Sequence, residues 1–226
     1  MNYAIIKDED EFKKFINILP DLKDDEQFYI TLFARKKYDI NNELKSDKTQ
    51  LGRTTATKDR VFDKIKKFEV PLGTYKVDGI PVPENCLAVY IHPNPRGMKK
   101  ASLLTVKKII DNIGYDRYQN PKSVALSSIQ VSNSRTYYVD FDFDIDNQHY
   151  DRHIYDISME ATGDENSFKI IKTRGGYHIL VEPELTKNKK WHQGIRKNLN
   201  VDQVGDLLLP VPGCVQGDYV PKILEL

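Results

Sequence analysis

The stretch TYYVDFDFDID, residues 136–146, constrains this chain more than any other. Tyr137, Tyr138 and Val139 run into Asp140; Asp142, Asp144 and Asp146 then alternate with Phe141, Phe143 and Ile145. Strict period-two alternation predicts a β-strand with aromatic side chains on one face and carboxylates on the other. Like charges two residues apart on one sheet face repel, so a fold has no reason of stability to choose such a row. A divalent cation removes the repulsion, and Mg²⁺ favours one or two carboxylates plus substrate phosphates. The competing readings of the same row are a solvated acidic edge strand and an incidental Ca²⁺ site.

At 226 residues the chain suffices for one substantial core or two small modules. Its 39% hydrophobic and 30% charged residues are ordinary for a soluble globular protein. The net charge of +1 selects no partner, but its distribution is uneven. Residues 35–67 hold 11 Lys/Arg against 5 Asp/Glu, whereas residues 140–165 hold 9 Asp/Glu and 1 Arg. A basic segment beside an acidic cluster suits a protein that holds a polyanion next to a metal; two solvated faces of opposite sign would look the same. The two cysteines, Cys86 and Cys214, have no metal-ligand spacing, which excludes a Cys-rich zinc module within the chain. No apolar run approaches the ~20 residues of a membrane helix, and MNYAIIKDEDEFKKF lacks an export signal's apolar core, so a cytosolic setting is expected.

Taken in order, residues 2–6 read as a short strand and 9–18 as a helix, ended by Pro20. Residues 28–38 read as a strand that delivers Arg35, Lys36 and Lys37 at its tip, and 39–52 as a polar loop. Residues 57–68 form an amphipathic helix pattern, with Val61, Ile65 and Phe68 inward and Arg60, Lys64 and Lys67 outward. Leu87 to Ile91 is a short apolar strand, and the stiff turn His92-Pro93-Asn94-Pro95-Arg96-Gly97 presents Arg96 as a phosphate or nucleotide ligand. A helix follows over 102–113, and the polar stretch 114–121 is the best seam between two halves. Beyond the acidic strand come a short helix near 154–160 and a hairpin over 168–182. Its turn, Thr173-Arg174-Gly175-Gly176, lets backbone N–H groups face phosphate oxygens, with Lys172 and Arg174 adding charge and His178 opening the next strand. Trp191, in a basic stretch, is either a stacking surface for bases or the anchor of a helix.

Three motifs in order resemble those of the archaeo-eukaryotic primase superfamily: YYVDFD, TRGGYHIL and VDQVGDLLLPVPGCVQG, supported by the Asn-Pro-Arg turn of LAVYIHPNPRG. The resemblance spans roughly residues 87–221. It implies an α+β fold, with an N-terminal αβ module (about 1–120) packed on an RRM-like antiparallel module (about 121–226) in a single catalytic domain. It implies a template-directed nucleotidyltransferase, a DNA primase or primase-polymerase, in which Asp140, Asp142 and Asp202 hold two Mg²⁺ or Mn²⁺ ions. His178, Arg174, Lys172, Thr173, Gly175, Gly176 and Arg96 would bind the incoming NTP or dNTP; Arg35, Lys36, Lys37, Arg60 and Lys64 would hold the single-stranded DNA template. No zinc element is expected, and there is no room for a helicase domain, so a separate replicative helicase is an expected partner in a phage or mobile-element setting. Gly176 stands where the family carries a small hydroxyl residue, Asp206 rivals Asp202, and Asp144 has no counterpart. Two other readings stand beside this one. A non-catalytic single-strand-binding accessory module would keep the fold without the chemistry. A DxD phosphatase would need a parallel, doubly wound sheet.

Overall fold

The computed structural model describes residues 1–39, 44–113, 120–145 and 150–225. Asp146 and most of the seam at 114–121 lie outside them. The chain opens with helix α1 (Glu9–Ile18), where Asp8 Oδ1 accepts a hydrogen bond from the Glu11 N–H and Glu9, Asp10 and Glu11 place negative charge in the first turn. Its Phe12 and Phe15 are buried. Residues 2–6, expected as a strand, make only isolated bridges, Asn2 with Pro71 and Ile6 with Cys214.

Strands β1 (Glu26–Arg35) and β2 (Lys48–Ala56) pair antiparallel, followed by helix α2 (Val61–Lys66) and the small hairpin β3 (Lys76–Val77) and β4 (Ile80–Pro81). The expected polar loop at 39–52 therefore ends early, because Lys48 to Gly52 are strand. On α2, Val61 and Ile65 are buried and Phe68 just beyond it is too, as the helical spacing requires. Strand β5 (Leu87–Ile91) pairs with β1, and β6 (Arg96–Gly97) runs into helix α3 (Met98–Asn112). Helix α4 (Pro121–Val131) follows, capped by Asn120 and started by a proline at its first position. Sequence reading placed no helix there.

The second sheet begins at β7 (Val139–Asp144) and continues through α5 (Asp151–Thr162), β8 (Phe168–Lys172), β9 (Gly176–Val181), α6 (Trp191–Asn198) and β10 (Gln203–Gly205). The tail then adds β11 (Leu209–Pro210) to the first sheet and β12 (Lys222–Ile223) to the second. The sheets run β11-β5-β1-β2 and β10-β7-β9-β8-β12, antiparallel at every pairing. The molecule is thus of mixed α/β composition with antiparallel sheets, consistent with the α+β class. Within β7 to β10 the order is strand–helix–strand–strand–helix–strand with spatial order 4-1-3-2, the split βαβ arrangement. The parallel sheet a DxD phosphatase needs is absent around β7, whose two neighbours both run against it. The sheets do not divide the chain at residue 120, since α4 packs on α3 and β11 returns to β5.

One face of the second sheet packs Phe141, Phe143 and Ile179 against Ile154, Ile157 and Ile195 of α5 and α6. Burying each such side chain is worth about 1.5–3 kcal/mol. The other face turns toward the first sheet, where Leu180, Ile171 and Tyr138 join the larger core built on β1 and β5. The sheets are fastened by the turn after β5. Asn94 is fully buried; its Oδ1 accepts from the N–H groups of Tyr137 (2.8 Å) and Tyr138 (2.7 Å), and its Nδ2 donates to the Tyr138 carbonyl (2.8 Å). Arg96 donates from both terminal nitrogens to Asp206, each at 2.6 Å. The expectation that this turn presents Arg96 is corrected: its side chain is 1% exposed and its terminal nitrogens are committed to Asp206.

The β8–β9 turn shows why glycine ends it. A Cβ on Gly176 would overlap the Phe143 carbonyl oxygen and lie 2.8 Å from Asp144 Cα. Overpacking against backbone that cannot yield costs about 1–3 kcal/mol or more. Gly176→Ala is therefore expected to lower the urea midpoint by an amount worth at least ~2 kcal/mol; an unchanged midpoint would mean that β7 and β9 are not this close.

Candidate active site

Register places the acidic strand and the histidine together. In the β7–β9 ladder Asp142 pairs with His178, Asp140 with Leu180 and Asp144 with Gly176. On the other side of β7, Gln203 pairs with Asp142, and the Asp202 N–H donates to the Asp142 carbonyl at 2.9 Å. Asp202 Oδ2 in turn accepts from the Asp144 N–H at 2.9 Å. The alternation seen in the sequence is kept: Phe141 and Phe143 enter the helical face, and the aspartates of β7 share the opposite one with His178.

The imidazole of His178 bridges two of them. Its Nδ1 lies 2.9 Å and 3.0 Å from the two oxygens of Asp140, and its Nε2 lies 3.3 Å from Asp142 Oδ1. Burial opposes the charged imidazole, but the facing charges and hydrogen bond of Asp140, with Asp142 and Asp144, outweigh it and raise its pKa above the ordinary value. Burial also pushes the Asp142 carboxyl above the usual carboxylate range; Asp140, Asp144 and Asp202 push the same way while His178 opposes them.

Between the two sheets lies a cleft of about 490 Å³. Asp142, Asp144, Asp202 and His178 line the wall that the second sheet supplies, with Thr173 and Gly175 of the hairpin turn. Arg35, Lys37 and Lys48 line the wall from the first sheet, beside Tyr90, His92 and the apolar Leu207 and Leu208. Arg35 Nη1 donates to the Tyr90 hydroxyl at 2.6 Å, and Lys48 Nζ sits 4.2 Å from the Phe33 ring centroid. Burial lowers the pKa of both Lys37 and Lys48, and Arg35 beside each adds to it, while Asp144 and Asp142 pull Lys37 back up. Carboxylates and cations thus face each other across a space within the size range of small-molecule sites.

The expected residues divide. Asp142, Asp202, His178, Thr173, Gly175, Arg35 and Lys37 meet in the cleft; Asp140 is buried behind His178. Lys172, Arg174 and Gly176 line instead a groove of about 840 Å³ that also takes in Thr173 and Gly175. There Lys172 pairs with Asp151 at 2.9 Å, and Arg174 pairs with Asp218 at 2.6 Å over the Tyr38 ring. Lys36 does not line the cleft, and neither do Arg60 and Lys64; Arg60 lies 3.5 Å from Asp63 just before α2. Asp206 does line the cleft, but it also accepts from Asn94 at 3.1 Å, and despite burial His92 and Arg96 hold its carboxyl well below the usual range. Of the rival third acids, Asp202 is the one with an open carboxylate. Trp191 packs on Phe141 at 5.8 Å, which makes it the anchor of α6 rather than a free stacking surface.

Lys48 and His92 were missed. Lys48 fell in the stretch read as loop, although KTQLGRTTA contains the β-branched, alternating signal of a strand. Among the described residues no group of three His, Cys, Asp or Glu side chains is drawn to one ligating point, and no helix is long and apolar enough to cross a membrane. Comparisons with protein-family models, curated proteins and solved structures each return no match.

Proposed function

We propose that this chain is a template-directed nucleotidyltransferase of the primase or primase-polymerase kind, built on the archaeo-eukaryotic primase core. The observation that carries the reading is the cleft, with Asp142, Asp144, Asp202 and His178 on one wall and Arg35, Lys37 and Lys48 on the other. The split βαβ order of β7 to β10 supports the RRM-like catalytic module that the motifs imply. The donor set fits hard divalent cations: the carboxylates are all-oxygen donors, they crowd one another, and no thiol lies among them. Asp142 and Asp202 would hold Mg²⁺ or Mn²⁺, which supplies activation of a 3′-hydroxyl and charge neutralisation at a pyrophosphate leaving group.

The chain's own groups do the rest. Arg35, Lys37 and Lys48 bind the triphosphate of an NTP or dNTP and offset its charge in a partly dry cleft. His178, as the imidazolium that its carboxylate neighbours favour, donates from Nε2 toward a phosphate oxygen and holds the reacting groups in line. Leu207, Leu208 and Tyr90 offer apolar surface to the nucleoside. Single-stranded DNA, held by surface cations, enters with an affinity that falls as salt rises.

The test is nucleotide incorporation on single-stranded DNA, with and without a primer, using labelled NTPs or dNTPs and Mg²⁺ or Mn²⁺. Metal-dependent product is expected, and the unprimed lane decides between priming and extension. Single-strand binding without product in either lane would move the accessory-module reading ahead. In the same setting Arg35→Ala and Lys48→Ala are each expected to weaken triphosphate binding about tenfold by calorimetry, the loss of one charge-assisted contact. Arg60→Ala, away from the cleft, is expected to leave it unchanged. Equal effects from all three would remove the cleft from the reading.

A further inference from the structure

We infer that Asp140 is a positioning residue for His178 and not a metal ligand, and that Asp144 takes its place beside Asp142 and Asp202 as the third carboxylate of the cleft. The inference rests on the polymerase reading, and it moves the metal-facing pair of the acidic strand two residues toward the C-terminus, from Asp140 and Asp142 to Asp142 and Asp144.

A ligand carboxylate needs a lone pair open to the ion. Asp140 is 0% exposed and does not line the cleft, and both its oxygens lie within 3.0 Å of His178 Nδ1. Such a contact makes Nδ1–H the donor to Asp140 whether the ring is charged or neutral, and it aims Nε2 at Asp142 Oδ1 on the cleft side. Register explains why one ring reaches both acids. His178 stands directly opposite Asp142, while Asp140 is its diagonal neighbour two residues along β7. Asp144 has the opposite character. It ends β7 exposed on the cleft wall, its backbone N–H holds Asp202 Oδ2 at 2.9 Å, and its Oδ1 lies 2.8 Å from where a Cβ on Gly175 would stand. Asp144 and Asp202 are therefore neighbours, and Asp142 lies between them and His178.

Two readouts on the full chain test this, one of them free of metal. Nitrogen-15 NMR of labelled histidine, recorded at a pH high enough for the His178 ring to be neutral, should show the wild type protonated at Nδ1, and Asp140→Asn should move that signal toward the other tautomer while Asp140→Glu restores it. Mn²⁺ binding followed by electron paramagnetic resonance should weaken at least tenfold in Asp142→Asn and Asp144→Asn. It should change less than twofold in Asp140→Asn, whose triphosphate binding nevertheless weakens about tenfold. If Asp140→Asn weakens Mn²⁺ binding as much as Asp142→Asn does, or if Asp144→Asn leaves it unchanged, the assignment is overturned. His178 signals unmoved by Asp140→Asn overturn the positioning role. A wild type that binds no Mn²⁺ overturns the metal cleft itself and with it the place given to Asp144, whereas the NMR result stands or falls separately.

Discussion

Asp142→Ala is expected to abolish metal-dependent nucleotide incorporation, with the rate on primed single-stranded DNA falling by at least ~10³, the scale seen when a main electrostatic group of a transition state is removed. Asp142 lines the cleft, faces His178 across the ladder and retains 32% of its side-chain exposure. Its carboxylate is the one flanked on both sides, by Asp202 through the β10 edge and by Asp144 along the strand. The same variant should not lose stability. An acid whose folded pKa is raised disfavours the folded state above its unfolded pKa, and that cost grows as pH rises from there to the shifted value, beyond which it is constant. Removing Asp142 lifts the cost at neutral pH, against which the lost attraction to His178 is a partial offset. Thermal melts at pH 7 should therefore be unchanged or slightly higher while activity vanishes, the pattern of a group kept for function at the expense of stability. A variant that melts much earlier, or that still incorporates nucleotides at a tenth of the wild-type rate, would remove Asp142 from the centre of the reading.

What was legible in the sequence was what local periodicity encodes. The two-residue period of residues 139–144 predicted both the strand and its division into an aromatic and an acidic face, and Phe141 and Phe143 are fully buried as that division requires. The 3.6-residue period of Val61, Ile65 and Phe68 likewise predicted which side of α2 faces inward. The hairpin after residue 168 was legible from its glycines, one of which sits where backbone leaves no room for a side chain. What was not legible depends on register and on partners distant in the chain. Nothing local distinguishes Asp140, buried against His178, from Asp142, open to the cleft, because the same alternation places both on one face. Arg96 looked like a presented cation because its partner is 110 residues away. Lys172 and Arg174 flank the right turn, but they leave it on the side of Asp151 and Asp218. Helix α4 was missed because SVALSSIQV carries little amphipathic contrast, and its Asn-Pro start was read as part of a seam.

Arg96→Ala is expected to produce the largest loss of stability. Removing one partner of a buried ion pair leaves the other charge uncompensated, which costs about 3–5 kcal/mol; the lower end applies because Asp206 keeps 26% of its side chain open to water. For a chain of this size a loss of ~3 kcal/mol lowers Tm by roughly 6–12 °C. The pair also fixes where the sheets meet. Arg96 lies in β6 beside β1, Asp206 follows β10, and Asn94 bonds both Asp206 and the backbone that leads into β7. Loosening it should shift β7 and β10 relative to the Arg35–Lys48 wall, so activity should fall with stability, unlike Asp142→Ala. The sign with pH follows from Asp206. Its folded pKa is depressed, so the stability it contributes is fully present above its unfolded value, near the ordinary 3.8, and is lost as pH falls below that. Wild-type stability should therefore drop steeply at the acid end, and the Arg96→Ala curve should be flatter there, the gap between the two closing as Asp206 protonates. Urea midpoints measured from pH 7 down to about pH 2, across the range where Asp206 protonates, read this directly. Arg96→Met combined with Asp206→Leu should recover part of the loss, since an apolar pair leaves no stranded charge. A gap that stays constant with pH would show that Arg96 stabilises the fold by packing alone, and the ion pair would lose its place as the fastening between the sheets.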